Sequence, residues 1–147
     1  MRDLEASLRQ AGLRVTAPRI AVLRVLAERQ DHMTVEQIIQ RVRAAGVPIS
    51  TQAAYDVSEA LHHAGLAGRI QLLGRPARYE ARTGDNHHHV VCRTCGVIGD
   101  VDCAKPSPPC LLPVDDLGFV IDEAEVTYWG TCQDCCVVPE RSSPPTL

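Results

Sequence analysis

The sequence predicts a mixed α+β chain in two parts, a helical N-terminal part ending in a β-hairpin and a smaller strand-based C-terminal part. Three observations predict it. Apolar residues recur at helical spacing through the first 65 residues, with a capping residue before each run. Two short β-rich runs then flank the turn Gly74–Arg75–Pro76. Beyond them, two C-x2-C pairs, Cys92/Cys95 and Cys132/Cys135, staple a segment near the size at which a core alone is marginal.

Asp3 to Ala11 predict a short helix, with Leu4, Leu8 and Ala11 on one side and Gly12 as its stop. Thr16 caps a second helix with Pro18 in its first turn, and Val22, Leu23, Val25 and Leu26 carry it to about Gln30. Thr34 opens a third, where Gln37 completes a capping box. Val35, Ile38, Ile39 and Val42 follow i, i+3, i+4, i+7, so one stripe is buried, and Gly46–Val47–Pro48 end the helix. Ser50 begins a fourth, STQAAYDVSEALHHAG. It is read with Ala53, Val57, Ala60, Leu61 and Ala64 inward, Thr51, Gln52, Tyr55, Ser58 and His62 outward, and Gly65 closing it. Strands from about Ala67 to Leu72 and Ala77 to Ala81 complete a winged helix. The outward face of the fourth helix suits base edges and thymine methyls in a major groove, although a plain solvated face has the same composition.

The run Arg82 to Asn86, RTGDN, has the composition of a hinge. Val90–Val91, Val97–Ile98 and Phe119 to Trp129 read as strands, while KPSPPCLLPVDDLG, with four prolines, holds no long helix. From Pro139 the chain is Pro- and Ser-rich and reads as a mobile tail. The expected domains are therefore 1–83, 84–138 and a tail at 139–147.

Charge divides the chain at the same place. Residues 1–83 carry +4, with twelve Arg and no Lys, whereas residues 84–147 carry −7. An arginine-bearing half joined to an acidic, Cys-rich half suggests an anion-binding module and a metal-binding module. Hydrophobic residues are 45% and aromatic ones only 3%, so the core is aliphatic. No apolar run approaches the ~20 residues of a membrane span, and charges fill the N-terminus where a signal peptide is apolar. These features predict a cytoplasmic protein. In that reducing setting an odd count of seven cysteines favours metal or redox chemistry over disulfides.

Four thiolates in two short loops suit a tetrahedral ion, and zinc is preferred to a rubredoxin-like iron or a dithiol switch because its d10 shell makes an inert clamp. If His87 to Cys92 is extended, His87 and His89 share one face and His88 takes the other. Asp100 and Glu80 offer carboxylates, and His32 stands before the third helix. Cys103, Cys110 and Cys136 are surplus thiols, for which a redox role stays open. No metal-hydrolase motif such as H-E-x-x-H occurs, so the chain is read as a non-enzyme.

Several motifs in order, GLRVTAPR at Gly12–Arg19, HMTVEQI at His32–Ile38, the helix bearing Tyr55, RYE at Arg78–Glu80, HHHVVCRTCG at His87–Gly96 and the C-x2-C at Cys132, resemble the ferric uptake regulator (Fur) family over residues 4–136. YDV, GDNHHH and DVDC are most similar to actinobacterial Fur-like repressors associated with catalase-peroxidase genes. The resemblance implies an N-terminal winged-helix DNA-binding domain and a small C-terminal α/β dimerisation domain with structural zinc. It implies a homodimeric, metal-dependent repressor on a palindromic double-stranded DNA operator, sensing peroxide or ferrous iron and controlling oxidative-stress or iron-homeostasis genes.

By position, Cys92, Cys95, Cys132 and Cys135 match the structural zinc ligands. His32, Glu80, His87, His89 and Asp100 match a regulatory Fe(II) or Mn(II) site, with Asp100 where peroxide-sensing members carry aspartate. Arg14 matches a basic residue that enters the minor groove and Tyr55 the recognition-helix tyrosine; with Arg19 and the outward Thr51 and Gln52 they make up the expected DNA-facing set. Two departures stand out. Asp56 follows Tyr55 where many members have Arg, and Asn86 and Ala124 stand where some members hold a third metal, so that site is not expected. The alternatives are a zinc-stapled thiol redox sensor using Cys103 or Cys110 and, more remotely, a metalloenzyme.

Overall fold

The computed structural model describes residues 3–29, 31–81, 83, 85, 87–104 and 108–136. The chain divides into two compact units, Met1–Asp85 and Asn86–Leu147.

The first unit holds α1 (Leu4–Gln10), α2 (Ala17–Glu28), β1 (Met33–Thr34), α3 (Val35–Ala44), α4 (Thr51–His63), β2 (Gly68–Ile70) and β3 (Arg78–Glu80). Every helix starts on a side chain that accepts a backbone N–H: Asp3 from Ala6, Thr16 from Arg19, Thr34 from Gln37 and Ser50 from Ala53. Thr34 and Gln37 form the full capping box. Each such cap is worth about 1 kcal/mol against alanine. The helix ends are equally regular. Val47 N–H donates to the Val42 carbonyl and Gly46 N–H to that of Arg43, and Leu66/Leu61 and Gly65/His62 repeat the pattern after α4. This doubly bonded end needs a left-handed residue, supplied by Gly46 at φ +83° and Gly65 at φ +76°.

α2, α3 and α4 pack around a core in which Leu8, Val22, Leu26, Ile38, Val42, Ala54 and Leu61 are fully buried. The inward stripe of α4 is Ala54, Val57, Ser58 and Leu61. This corrects the sequence reading, which turned Ser58 outward and placed Ala60 and Ala64 inside; Val57 and Leu61 are buried as read, and Ala53 packs half-buried against the core. The stripe keeps the i, i+3, i+4, i+7 rule, but a small serine fills one of its places, so assigning faces by apolarity rotates the helix. Beside it, β1, β3 and β2 form an antiparallel sheet in that order. The hairpin strands are shorter than expected because Leu72 to Arg75 form the turn, where the Arg75 N–H donates to the Leu72 carbonyl. Strand β1 was not anticipated, since two residues carry no period.

The second unit holds β4 (His87–Cys92), β5 (Ile98–Asp102) and β6 (Thr127–Gly130), in the order β5-β4-β6. β4 runs antiparallel to β5 and parallel to β6. Of the expected strand Phe119 to Trp129 only Thr127 to Trp129 form β6, which extends to Gly130 and pairs with His89 to Cys92 of β4. Among the described residues all the helices lie in the first unit, and the second is built of strands and loops. Arg82, Gly84 and Asn86 of the expected hinge, and the whole expected tail, lie outside the described residues. No helix among the described residues is long and apolar enough to cross a membrane.

Candidate functional site

Two similar turns build the cysteine cluster. Cys92 ends β4, and the Gly96 N–H folds back onto its carbonyl at 3.0 Å; in the second turn the Cys136 N–H donates to the Cys132 carbonyl at 2.8 Å. Cys92, Cys95, Cys132 and Cys135 thereby offer four sulfurs within 4.8 Å of one another. The Cys95 and Cys132 sulfurs stand 3.7 Å apart. Thiolates at zinc's ~2.3 Å in a tetrahedron would be roughly 3.8 Å apart, so the cage has zinc's dimensions. Backbone amides tune it. The N–H groups of Cys95 and Cys132 aim at the Cys92 sulfur from 3.5 and 3.3 Å. They hold the Cys92 thiol down at about 5. Cys135 is pushed up to about 12, first by hydrogen bonding with Cys132 and then with Cys95. Such uneven thiols mark sulfurs crowded into a space where a cation would hold all four as thiolates. Cys136 is exposed and contributes only its amide to this turn.

The histidine and carboxylate candidates fall into one set per unit. In the first unit, β1 pairs Met33 with Tyr79, and continuing that register by one residue sets His32 opposite Glu80. His32 Nε2 lies 3.0 Å from Glu80 Oε2, with both side chains about 5% exposed. The Arg78 guanidinium donates to the His32 carbonyl, fixing the backbone there. In the second unit, alternation along β4 puts the His87 and His89 rings on one face, 4.9 Å apart. Asp100 is the cross-strand neighbour of His89, and its Oδ1 lies 3.4 Å from His89 Nε2 and 3.8 Å from His87 Nε2. These are nitrogen and oxygen donors without a thiolate.

On the first unit, Arg14 is exposed in the connection before α2, and Arg19 donates from Nη1 to the Arg14 carbonyl at 2.9 Å. Thr51 and Gln52 are exposed at the start of α4, and Tyr55 is 46% exposed one turn on. Gln52 donates to the neighbouring Asp56 carboxylate. Behind this face the Tyr79 hydroxyl, on β3, donates to Glu59 of α4, so the helix is tied to the sheet. That bond, and then Arg69, His63 and His62, hold the Glu59 carboxyl below its usual range against the opposing effect of burial.

The sequence reading missed one grouping. His88 on the other face of β4, Cys103 and Cys110 converge with donor atoms within 4.8 Å of one another. The alternation that turned His88 away from its neighbours was the available signal. The proline-containing loop that returns Cys110 has no period and gave none.

Four capped helices carrying an exposed Thr–Gln–Tyr face, joined to a unit of clustered sulfur and imidazole donors, define a DNA-binding, metal-binding transcriptional regulator. Residues 10–126 match the ferric uptake regulator family, and the chain belongs to it. It is 52% identical over 143 residues to the transcriptional regulator FurA of Mycobacterium tuberculosis, covering 97% of each chain. In fold it is similar to the ferric uptake regulator of Pseudomonas aeruginosa with manganese, at 24% identity and a TM-score of 0.68, covering 90% of this chain and 99% of that one. It is also similar to the Campylobacter jejuni peroxide stress regulator, at 20% identity and a TM-score of 0.62, covering 92% and 100%.

Proposed function

We propose that this regulator is a metal-gated homodimeric repressor, with zinc in the Cys92, Cys95, Cys132 and Cys135 cage and Fe(II) or Mn(II) held by His32, Glu80, His87, His89 and Asp100. The observation that carries it is the division of the nitrogen and oxygen donors. The first unit offers one buried His–carboxylate pair and the second offers two imidazoles and a carboxylate. Neither set alone fills the usual coordination of a hard or borderline divalent ion, which prefers carboxylate and imidazole to thiolate. An ion that draws on both sets favours one arrangement of the reading units over others, and operator affinity then follows metal occupancy.

The dimer reading is supported by apolar surface on the second unit. Leu111, Leu112, Val114, Leu117, Phe119 and Val120 are all more than 60% exposed, a patch that a second copy would cover. Arg14, Arg19, Thr51, Gln52 and Tyr55 would meet a palindromic duplex through the two copies, with arginines on phosphates and α4 in the major groove.

Asp100 inclines the signal toward peroxide, and catalase-peroxidase genes are the corresponding targets; iron homeostasis is the second reading. When bound, Fe(II) supplies one-electron chemistry toward peroxide beside ligand imidazoles. The test is operator binding titrated with Mn(II), then with Fe(II) before and after peroxide, with mass spectrometry of the histidines and cysteines. Peroxide-dependent release with an oxidised ligand histidine supports the first signal. Iron-dependent binding indifferent to peroxide supports the second, and release that tracks cysteine oxidation overturns both. His89→Ala should keep the dimer and its zinc but lose metal-dependent operator binding, and unchanged Mn(II)-dependent affinity removes His89 from the gate.

A further inference from the structure

We infer a third metal site, made by His88, Cys103 and Cys110, that takes a zinc-class ion through two thiolates and one imidazole. It shares no residue with the four-cysteine cage or with the nitrogen–oxygen set, and its argument does not depend on the gating proposal.

The strand register builds it. β4 presents His88 opposite Val101 of β5, on the face away from His87 and His89. Cys103, two residues after Val101, continues that face, and the chain returns to bring Cys110 beneath it. His88 Nε2 and Cys110 Sγ lie 3.0 Å apart, and both residues are more than nine-tenths buried. Cys103, half-buried, completes a trio whose donor atoms all fall within 4.8 Å.

A buried imidazole against a buried thiol is a costly way to fill a small interior unless the polar atoms have work to do. In a tetrahedron at ordinary zinc bond lengths, nitrogen and sulfur are roughly 3.6 Å apart and two sulfurs roughly 3.8 Å. The trio therefore needs side-chain adjustments below about 1 Å to close on one ion. Two soft sulfurs and one borderline nitrogen select zinc, or cobalt as its spectroscopic stand-in, over Fe(II) and Mn(II). Three protein donors leave the fourth position for water or a small anion, and the ion would fasten the segment after β5 onto β4.

The experiment uses the full-length protein purified under thiol reductant with its structural zinc in place. Co(II) is added while released zinc is measured. The wild type should gain thiolate-to-cobalt charge-transfer absorption that accounts for one equivalent per chain, beyond any cobalt held without such absorption by the nitrogen–oxygen set, and release no zinc. Cys103→Ser, at the half-buried position, and Cys110→Ser should each lose that absorption while keeping structural zinc and a cooperative melt. His89→Ala should retain it. The inference is overturned if the wild type gains no thiolate–cobalt absorption, if the absorption appears only in step with zinc release, or if it persists in both cysteine variants. A Cys103–Cys110 disulfide in the reductant-purified protein overturns it as well.

Discussion

The two units solve the problem of staying folded by different means. The first contains the whole of the main hydrophobic cluster, from Leu8 to Tyr79, closed by four side-chain caps and doubly bonded helix ends. The second buries few apolar side chains, Val91 among them, and fills much of its interior with Cys92, Cys110 and His88. Meanwhile Val97, Leu112, Val114, Phe119 and Val120 stand exposed on it. Burial of aliphatic area stabilises the reading head. Ligand bonds and a covering surface must stabilise the other unit, because its interior is made of groups that bind metal better than they bind each other.

The largest test of that contrast removes the zinc. Structural zinc contributes on the order of 10 kcal/mol in small metal-folded domains. Cys95→Ser should therefore unfold the second unit and abolish the dimer, while far-UV helicity, which reports on α1 to α4, persists. Zinc content, sedimentation and circular dichroism measure the three, and a zinc-loaded dimeric Cys95→Ser protein would break the comparison.

The converse is Leu61→Ala. Leu61 is fully buried on α4, so its truncation should cost about 2–5 kcal/mol and lower the helical melt with zinc content unchanged. Loss of zinc in that variant would mean that the units do not stand on separate supports.

Tyr79→Phe is a smaller change. It leaves Glu59 without its phenol donor at a partly exposed position, an expected loss of about 1 kcal/mol with weaker seating of α4. Equal stability to urea in the two proteins would show that the bond adds nothing.

The smallest effect is pH dependence. Glu59 has its folded pKa lowered, chiefly by Tyr79, so its contribution is complete above the ordinary glutamate range and is lost as pH falls through the depressed value. Glu59→Gln should flatten the acid limb of the first unit's stability curve, and an unchanged limb would assign acid sensitivity to other groups.

Local signals made most of the first unit legible. Thr16, Thr34 with Gln37, and Ser50 mark helix starts by chemistry that acts within three residues, and Gly46 and Gly65 mark ends by a backbone angle few other residues adopt. The C-x2-C pairs were legible for the same reason, since each holds its two sulfurs within one turn. The face of α4 was not, because Ser58 is placed inward by what α2 and α3 leave room for. β1 was missed because a two-residue strand exists only through its pairing with β3, yet it is this pairing that sets His32 beside Glu80.

The sequence by itself determined the family, the capped helices, the two cysteine loops and the alternation of the three histidines, all carried by spacings of a few residues. The tertiary structure decided which distant groups meet: His32 with Glu80, His89 with Asp100, and His88 with Cys103 and Cys110. Capping and periodicity are local interactions written in neighbouring residues. A contact across strands depends on register and on the return path of a loop, which no short stretch of chain encodes.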